Sequence, residues 1–196
     1  MIKLFSGKTV IITGASAGVG AETARAFADL KANVVLVARG QEALDVIAAE
    51  LSAKTKVLSF AMDVADAAQC HDMVTKVGEH FGSIDVLVNN AGYHQRGDVG
   101  DNNAVDLARM VDVNLRAPIA LTTLVLPYLK QQGAGAIINV GSLAGRTPLQ
   151  GASTYAATKA GLRAFTHSLA DELFATNISV GIVSPGPIDT GFIMSN

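Results

Sequence analysis

Two side chains in the C-terminal part of the chain have types and spacing suited to proton transfer. Tyr155 and Lys159 stand four residues apart in a segment with a helical pattern, which places both side chains on one helix face. A free phenol titrates near pH ~10, and a nearby ammonium favours the phenolate. The pair therefore predicts an acid–base group that works near neutral pH, with Lys159 lowering the pKa of Tyr155.

Such a pair needs a scaffold, and the chain alternates short β-branched apolar runs with helical segments. The predicted strands are Thr9–Thr13, Asn33–Ala38, Lys56–Ala61, Ile84–Val88, Ala136–Val140 and Ile178–Val183. The predicted helices lie near residues 18–31, 41–52, 66–81, 102–131 and 153–175. Near-continuous hydrophobic strands alternating with helices are typical of a parallel sheet covered on both faces. The predicted fold class is α/β: a doubly wound parallel sheet of the Rossmann type, with helices on both faces, in a single domain over residues 1–196.

Composition and charge exclude several classes of function. Of the 196 residues, 49% are hydrophobic and 16% charged, and a net charge of −2 without Lys/Arg runs argues against nucleic acid as a partner. No run approaches the ~18 apolar residues of a membrane span, and the N-terminus has no uninterrupted signal-peptide core. The single cysteine, Cys70, excludes an internal disulfide and suits a reducing cytosol, so a cytoplasmic location without membrane contact is predicted. His71, His80 and His167 have no partners at metal-ligand spacing, and no metal site is predicted.

A glycine-rich turn joins the first predicted strand to the first helix. In the stretch Thr13–Gly20 the glycines fall at Gly14, Gly18 and Gly20, which permit a tight turn, close approach of a ligand and packing of the helix on the sheet. A strand–turn–helix of this kind brings backbone N–H groups and a helix N-terminus up to a pyrophosphate, so it predicts dinucleotide binding. The same turn matches the Gly-x-Ser-x-Gly pattern of hydrolases around Ser16, but a hydrolase needs a histidine after a late strand and none follows His167.

The residue after the second predicted strand bears on the type of dinucleotide. A carboxylate in this region holds the ribose 2′-hydroxyl of NAD, whereas an arginine accommodates a 2′-phosphate. Ala38 offers no carboxylate and Arg39 offers a guanidinium. NADP(H) is therefore predicted over NAD(H), the alternative being that Arg39 is a solvated loop residue.

Two prolines fall inside the long helix predicted near 102–131. Pro118 has no N–H to donate to the carbonyl of Asn114, four residues earlier. If the helix continues through Pro118 and Pro127, the Asn114 carbonyl lacks its usual partner and can hold a water. The alternative is that the helix simply bends here, and geometry alone does not separate the two.

Taken together, the motifs resemble the short-chain dehydrogenase/reductase family over essentially the whole chain. They are the Thr13–Gly20 turn, Asp63, the stretch Asn89–Gly92, Asn114, Ser142, Tyr155 with Lys159, and Pro185 with Gly186. The resemblance implies an oxidoreductase in which Tyr155 exchanges a proton with the substrate oxygen and Ser142 hydrogen-bonds that oxygen. Lys159 would lower the Tyr155 pKa and contact the nicotinamide ribose, and the main-chain carbonyl of Asn114 would hold a water in a proton relay. The water-holding alternative for Asn114 is thereby favoured.

The resemblance also implies the residues that bind cofactor and substrate. The cofactor residues would be Gly14, Ser16, Gly18, Val19, Gly20, Arg39, Asp63, Val64, Asn90, Ala91, Gly92, Tyr155, Lys159, Pro185, Gly186, Ile188 and Thr190. Asp63 and Val64 would face the adenine, Asn90–Gly92 the adenosine ribose, and Ile188–Thr190 the carboxamide. Candidate substrate residues are Ser142, Leu143, His94, Leu149, Gln150 and Pro187. For His94, the alternative to a substrate contact is that it is a solvated or hydrogen-bonded loop histidine.

The predicted function is hydride transfer between NADP(H) and a carbonyl or secondary alcohol substrate. The alternative is a dinucleotide-binding sensor or scaffold without turnover, because family members usually continue with a lid and a seventh strand that form most of the substrate pocket, and the sequence stops at Asn196. The resemblance also implies a homodimer or homotetramer, formed through the helices near 102–131 and 153–175.

Overall fold

In the computed structural model, which describes residues 4–189, six parallel strands form one sheet in the order β3-β2-β1-β4-β5-β6. The strands are β1 Thr9–Thr13, β2 Asn33–Ala38, β3 Val57–Ala61, β4 Val86–Asn89, β5 Gly135–Val140 and β6 Ile178–Val183. The helices are α1 Gly18–Asp29, α2 Gln41–Ser52, α3 Ala67–Phe81, α4 Ala104–Val111, α5 Ala117–Gln132 and α6 Ser153–Glu172. Short 3-10 turns lie at Val99–Asp101 and Leu143–Gly145.

The predicted fold class is confirmed, and β1, β2 and β6 begin and end where the sequence pattern placed them. The fourth strand differs most, since the apolar run begins at Ile84 whereas the ladder with β1 begins at Val86. The residue between them, Asp85, is buried and accepts hydrogen bonds from Lys8 Nζ and the Thr9 N–H. Its carboxylate thus links the start of β4 to the start of β1.

Each face of the sheet carries its own hydrophobic core. On one face α1 and α2 pack Ala24, Ala28 and Leu44 against alternate residues of the strands. On the other face, α3, α5 and α6 pack against the remaining alternate residues of the strands. Leu87 of β4 is completely buried in this core, and Leu121 of α5 almost completely. Period-two alternation between two apolar cores explains why every residue of β1 is buried, as expected for a strand covered on both sides.

The strand order reverses between β1 and β4, and this position determines where a ligand can enter. Successive strands run outward from β1 in one direction and from β4 in the other, so the loops after these two strands diverge and leave a crevice. Because all strands are parallel, the loops after β2, β3, β5 and β6 open on the same edge. All of the predicted site segments therefore lie at one edge of the sheet.

The helix predicted near 102–131 consists of α4 and α5 joined by a π turn at Asp112–Arg116. The Ala117 N–H donates to the Asp112 carbonyl, five residues back, instead of the usual four. Pro118 lies in the first turn of α5, directly after the π turn, and Pro127 lies inside α5. The helical path thus continues through Pro118, which is the condition under which the Asn114 carbonyl lacks an N–H donor at position 118.

By length and composition alone the combined helix Ala104–Gln132 is apolar enough to cross a membrane. Its side chains instead form part of the core, since Met110, Leu121, Val125 and Leu129 are buried against the rest of the fold. The same helix carries charged residues in its first turns and the π turn. These features are those of a core helix of the sheet.

Candidate active site

The turn after β1 has the conformation that its glycines permit. Gly14 and Gly18 have φ values of +66° and +52°, a region that side chains disfavour. A Cβ on Gly20 would lie 2.1 Å from the Gly14 carbonyl oxygen, so only glycine lets α1 start this close to the turn. No side chain caps the N-terminus of α1, which starts at Gly18. The first N–H groups of the helix therefore face the crevice beside the turn.

The loop after β4 clamps the glycine turn. Thr13 Oγ1 accepts hydrogen bonds from the backbone N–H groups of Asn90 and Ala91, at 3.0 Å each. The side-chain amide of Asn90 donates to the carbonyls of Thr13 and Gly14 at 2.9 and 3.2 Å. Asn90 thus fixes the two loops on either side of the crevice, and its side chain has this structural task in addition to lining the cavity described below.

One end of the crevice is a small cavity of about 250 Å³ between the loops after β1, β2 and β3. Its lining includes the predicted residues Gly14, Ser16, Arg39, Asp63, Val64, Ala91 and Gly92. Sequence reasoning missed a further member, Arg109 of α4, whose guanidinium donates a short hydrogen bond to the Asp63 carboxylate. We call this the adenosine-end cavity, after the part of a dinucleotide that the sequence assigns to it.

Asp63 is held in its charged form by this surrounding. Partial burial acts to raise the pKa of Asp63, but the hydrogen bond from Arg109 and one from the Ala65 N–H outweigh it, assisted by the charges of Arg109 and Arg39. The net result is a pKa below the ordinary aspartate value. The positive charge of Arg39 therefore reaches Asp63, although the Arg39 side chain is exposed.

The other end of the crevice is a larger cavity of about 680 Å³, which we call the catalytic-end cavity. It unites the glycine turn with Ser142, Tyr155 and Lys159, which are far apart in sequence. Other predicted residues in its lining are Gly14, Ser16, Gly18, Val19, Asn90, Ala91, Gly92, His94, Leu143, Leu149, Pro185, Gly186, Pro187 and Ile188. Most of the predicted cofactor and substrate residues thus surround one continuous crevice.

Lys159 is buried on α6, with its Nζ donating to the Val140 carbonyl at 2.8 Å. Burial lowers the pKa of Lys159 to about 8, because no carboxylate in the described part of the chain forms an ion pair with it. Its Nζ lies 5.7 Å from the centroid of the Tyr155 ring, which confirms that the two side chains share one helix face.

The pKa of Tyr155 differs in direction from the sequence prediction. Burial raises this pKa above its ordinary value, and the hydrogen bond with Ser142 lowers it by less. The expectation that Lys159 lowers the Tyr155 pKa is wrong for the structure described here. The physical reason is that desolvation disfavours the phenolate, while the ammonium is itself buried and directed to the Val140 carbonyl.

Ser142 is positioned by the loop after β5. Its Oγ accepts a hydrogen bond from the Ala144 N–H at 3.2 Å and so caps the 3-10 turn Leu143–Gly145. That turn packs directly on α6, because a Cβ on Gly145 would lie 2.7 Å from the Lys159 carbonyl carbon. The close packing brings Ser142 to Tyr155 on the neighbouring helix.

Asn114 lies behind this pair and connects three elements. Its side-chain amide exchanges hydrogen bonds with the N–H and C=O of Tyr93 at 2.8 Å each, and donates to Thr158 Oγ1 at 3.3 Å. Thr158 directly precedes Lys159 on α6. The side chain of Asn114 is therefore structural, and the predicted binding of a water by its main-chain carbonyl stays a prediction.

Four predicted residues lie away from the cavity walls or outside the described chain. Gly20 is under the glycine turn and Asn114 behind α6, as described above. Gln150 is exposed on the loop after β5 and is not part of the lining. Thr190 lies outside the described residues. Over residues 4–189, no cluster of three His, Cys, Asp or Glu side chains suits a metal ion.

Beneath the catalytic-end cavity, a row of buried amides joins the strands to α6. Asn89 Nδ2 donates to Asn139 Oδ1, and Asn139 Nδ2 donates to Thr166 Oγ1, both at 2.9 Å. The Thr166 hydroxyl in turn donates to the Leu162 carbonyl. The sequence carried a signal for these contacts, since polar residues inside apolar strands need buried partners, but it does not show which residues pair.

Comparison with known proteins supports one family throughout. The short chain dehydrogenase profile matches residues 8–196. An NADP-dependent 3-hydroxy acid dehydrogenase of Schizosaccharomyces pombe is 39% identical over 190 residues, covering 95% of this chain and 73% of the relative. A metagenomic short-chain oxidoreductase solved with NADP superimposes with a TM-score of 0.89 at 35% identity, covering 94% of this chain and 84% of that one. An NAD⁺-bound xylitol dehydrogenase gives a TM-score of 0.92 at 31% identity, covering 97% and 74%.

Proposed function

The chain belongs to the short-chain dehydrogenase family of nicotinamide-dependent oxidoreductases, and we propose that it interconverts a carbonyl compound and a secondary alcohol with NADP(H). The observation that carries the proposal is the meeting of Ser142, Tyr155 and Lys159 with the glycine turn around one cavity. A site that only binds a dinucleotide does not require a phenol, a serine hydroxyl and a buried ammonium in one cavity wall.

The residues of the crevice fit the parts of a dinucleotide. The uncapped N-terminus of α1, with Gly18 and Val19 in the cavity wall, suits a pyrophosphate. Arg39 would hold the 2′-phosphate and Asp63 with Val64 the adenine, all three being in the lining of the adenosine-end cavity. Pro185, Gly186 and Ile188 line the opposite end, where the nicotinamide would lie.

NADP(H) is favoured over NAD(H) by the exposed guanidinium of Arg39 at the end of β2. Among the known proteins compared, one is named as NADP-dependent and one was solved with NADP, while another was solved with NAD⁺. The preference for NADP(H) therefore rests on Arg39. Asp63 does not argue for NAD, because its carboxylate is already engaged by Arg109.

The proton chemistry belongs to the residues around Tyr155. A raised pKa keeps the phenol protonated near neutral pH, so in the reducing direction Tyr155 can donate its proton to the carbonyl oxygen. Ser142 would hydrogen-bond the same oxygen. Lys159 would contact the nicotinamide ribose, and a water on the Asn114 carbonyl would return a proton from solvent to Tyr155. When bound, the cofactor supplies the hydride.

The substrate would occupy the part of the catalytic-end cavity lined by His94, Leu143, Leu149 and Pro187. His94 is buried, and its ring lies 4.4 Å from the Tyr155 ring, centroid to centroid. This contact favours a role at the site over a solvated loop position. Gln150 is less favoured as a substrate residue because it lies away from the lining.

A homodimer or homotetramer and a cytoplasmic location complete the proposal. Val105 and Val111 of α4 and Ile119 of α5 are exposed apolar side chains, and a second copy would cover them. The buried free cysteine Cys70 is compatible with a reducing compartment.

Tyr155→Phe tests the function, because it removes the proton donor and retains the ring that packs against His94. We expect kcat for NADPH-dependent reduction to fall about 10²- to 10⁴-fold. The dissociation constant of NADPH, measured by fluorescence titration, should change little. If the unaltered protein binds NADPH but reduces none of a panel of aldehydes and ketones, the proposal is wrong and a dinucleotide-binding sensor or scaffold is favoured.

A further inference from the structure

A cation at the rim of the catalytic-end cavity has no part in the chemistry proposed above. Arg96, in the loop after β4, lines this cavity together with the apolar residues Leu143 and Leu149. None of the described residues in the lining is Asp or Glu. Nor does any carboxylate within residues 4–189 form an ion pair with Arg96, although Asp98 is only two residues away.

The Arg96 side chain is exposed at the rim, but the backbone on both sides of it is held by hydrogen bonds. On its N-terminal side, Tyr93 is held by the Asn114 amide, and the Gln95 N–H donates to Met110 Sδ at 3.3 Å. On its C-terminal side, the Gly97 N–H donates to the Gly151 carbonyl at 2.9 Å. The loop that carries Arg96 is therefore tied both to the helices behind it and to the opposite rim of the cavity.

Arg96 also interacts electrostatically with a residue at the reacting end of the site. His94 packs on the Tyr155 ring at a centroid distance of 4.4 Å. Burial lowers the pKa of His94, and the charge of Arg96 lowers it further. Arg96 thus acts electrostatically on a ring that contacts the proton donor. Arg96 and Tyr155 line the same cavity, so one bound substrate can meet both side chains.

A planar guanidinium with parallel N–H donors binds a carboxylate more strongly than it binds a neutral ligand group, because the two hydrogen bonds are charge-assisted and fit both oxygens. We propose that Arg96 is the anion-binding residue of the substrate site and that the substrates are small oxo acids, or the corresponding hydroxy acids, with a carboxylate a short chain away from the reacting carbon. This inference rests on the proposed oxidoreductase function and names the substrate class of that same site.

Matched pairs of substrates isolate the contribution of the charge. Pyruvate, acetoacetate and levulinate would each be compared with its methyl ester in NADPH-dependent reduction. For at least one pair, we expect the acid to exceed the ester in kcat/KM by about 10- to 100-fold, the range of a charged hydrogen bond. Arg96→Gln should remove most of this preference by raising KM for the acid, with kcat little changed, because such a contact is made equally in the ground and transition states.

Arg146→Gln is the matched control, since Arg146 is exposed beside the same rim but is not part of the cavity lining. It should leave the acid-to-ester ratio unchanged, and circular dichroism would verify that both variants fold. Equal reduction of acids and esters by the unaltered protein would overturn the anion site while leaving the oxidoreductase function intact. An acid preference that survives Arg96→Gln would overturn it equally.

Binding provides a second measurement if no compound in the panel is reduced. The three acids would be titrated calorimetrically into the protein saturated with NADP⁺. Binding of an acid that weakens at least 10-fold in Arg96→Gln but not in Arg146→Gln supports the anion site, even where the proposed reduction fails. Absence of acid binding, or equal binding by both variants, overturns it.

Discussion

The two ends of the crevice treat charge in opposite ways. At the adenosine end, the Asp63 carboxylate is paired with Arg109, and its pKa is lowered despite partial burial. At the catalytic end, Lys159 is buried, the Val140 carbonyl is its only hydrogen-bond acceptor within residues 4–189, and its pKa is lowered to about 8. Both groups have a pKa below the ordinary value. For Asp63 this means that the charged form is favoured, whereas for Lys159 it means that the charged form is disfavoured.

This difference separates a site built for holding from a site built for proton transfer. A paired carboxylate is fixed in one protonation state over the whole neutral range, which suits recognition of a constant ligand. At the catalytic end, the lowered pKa of Lys159 brings a buried ammonium close to releasing its proton near neutral pH, while Tyr155 remains a protonated phenol that can act as an acid, which suits proton transfer. The glycine turn, held by the hydrogen bonds of Asn90, lines both ends of the crevice and connects them.

The largest expected effect concerns Lys159 and the pH dependence of stability. In the unfolded chain this lysine titrates near pH ~10.4, whereas in the folded protein its pKa is about 8. Between these values the unfolded state binds more protons, so the free energy of unfolding contributed by Lys159 rises with pH. The rise should be on the order of 3 kcal/mol, from a shift of about two and a half units.

Urea denaturation of the protein without nucleotide, at intervals from pH 7.5 to 10.5, would measure this rise. Lys159→Met should lose it, so that the unaltered protein gains stability relative to the variant as pH increases. Lys130→Met is the control, because Lys130 is exposed at the end of α5. A parallel pH dependence in all three proteins would show that Lys159 is not destabilised by burial, and the contrast between the two ends would fail.

Features encoded in the backbone were predictable from the sequence. Strands buried on both faces form near-continuous apolar runs, and the bounds of β1, β2 and β6 followed from those runs. Gly14 and Gly20 were informative because their conformation or close packing excludes other residues. Pro118 was informative for the same reason, since a missing N–H has a geometric consequence, although the π turn that precedes it was not foreseen.

Features that depend on side chains meeting across the fold were not predictable. Arg109 lies in a helix 46 residues from Asp63, and no spacing in the chain indicates that they pair. Arg96 reads as an ordinary loop arginine until the cavity beside it is known. The direction of the Tyr155 pKa failed for a related reason, because the i, i+4 spacing gives the proximity of Lys159 but not the degree of burial that determines the sign.

An intermediate effect is expected for Arg39, whose charge at the adenosine end has no role at the catalytic end. Arg39→Ala should weaken binding of NADPH relative to NADH by about 10-fold, the low end for an exposed charged hydrogen bond. Fluorescence titrations with both nucleotides would give the ratio of dissociation constants, and kcat should be nearly unchanged. An unaltered ratio would mean that Arg39 is a solvated loop residue and that the adenosine end does not select the phosphate.

The smallest effect is expected for the Asp63–Arg109 pair, because both side chains are about one-third exposed and solvent screens their attraction. In a double-mutant cycle with Asp63→Asn and Arg109→Met, the coupling in the free energy of unfolding should be about 1 kcal/mol at pH 7. Since the folded pKa of Asp63 is lowered, this coupling is present above the unfolded aspartate pKa and should vanish as pH falls through the folded one. The direction is thus opposite to that for Lys159, whose contribution appears only as the solution becomes alkaline. A coupling that persisted in acid would indicate that the two side chains interact by packing and not by charge. The contrast between a paired charge at the adenosine end and a buried ammonium at the catalytic end would then fail.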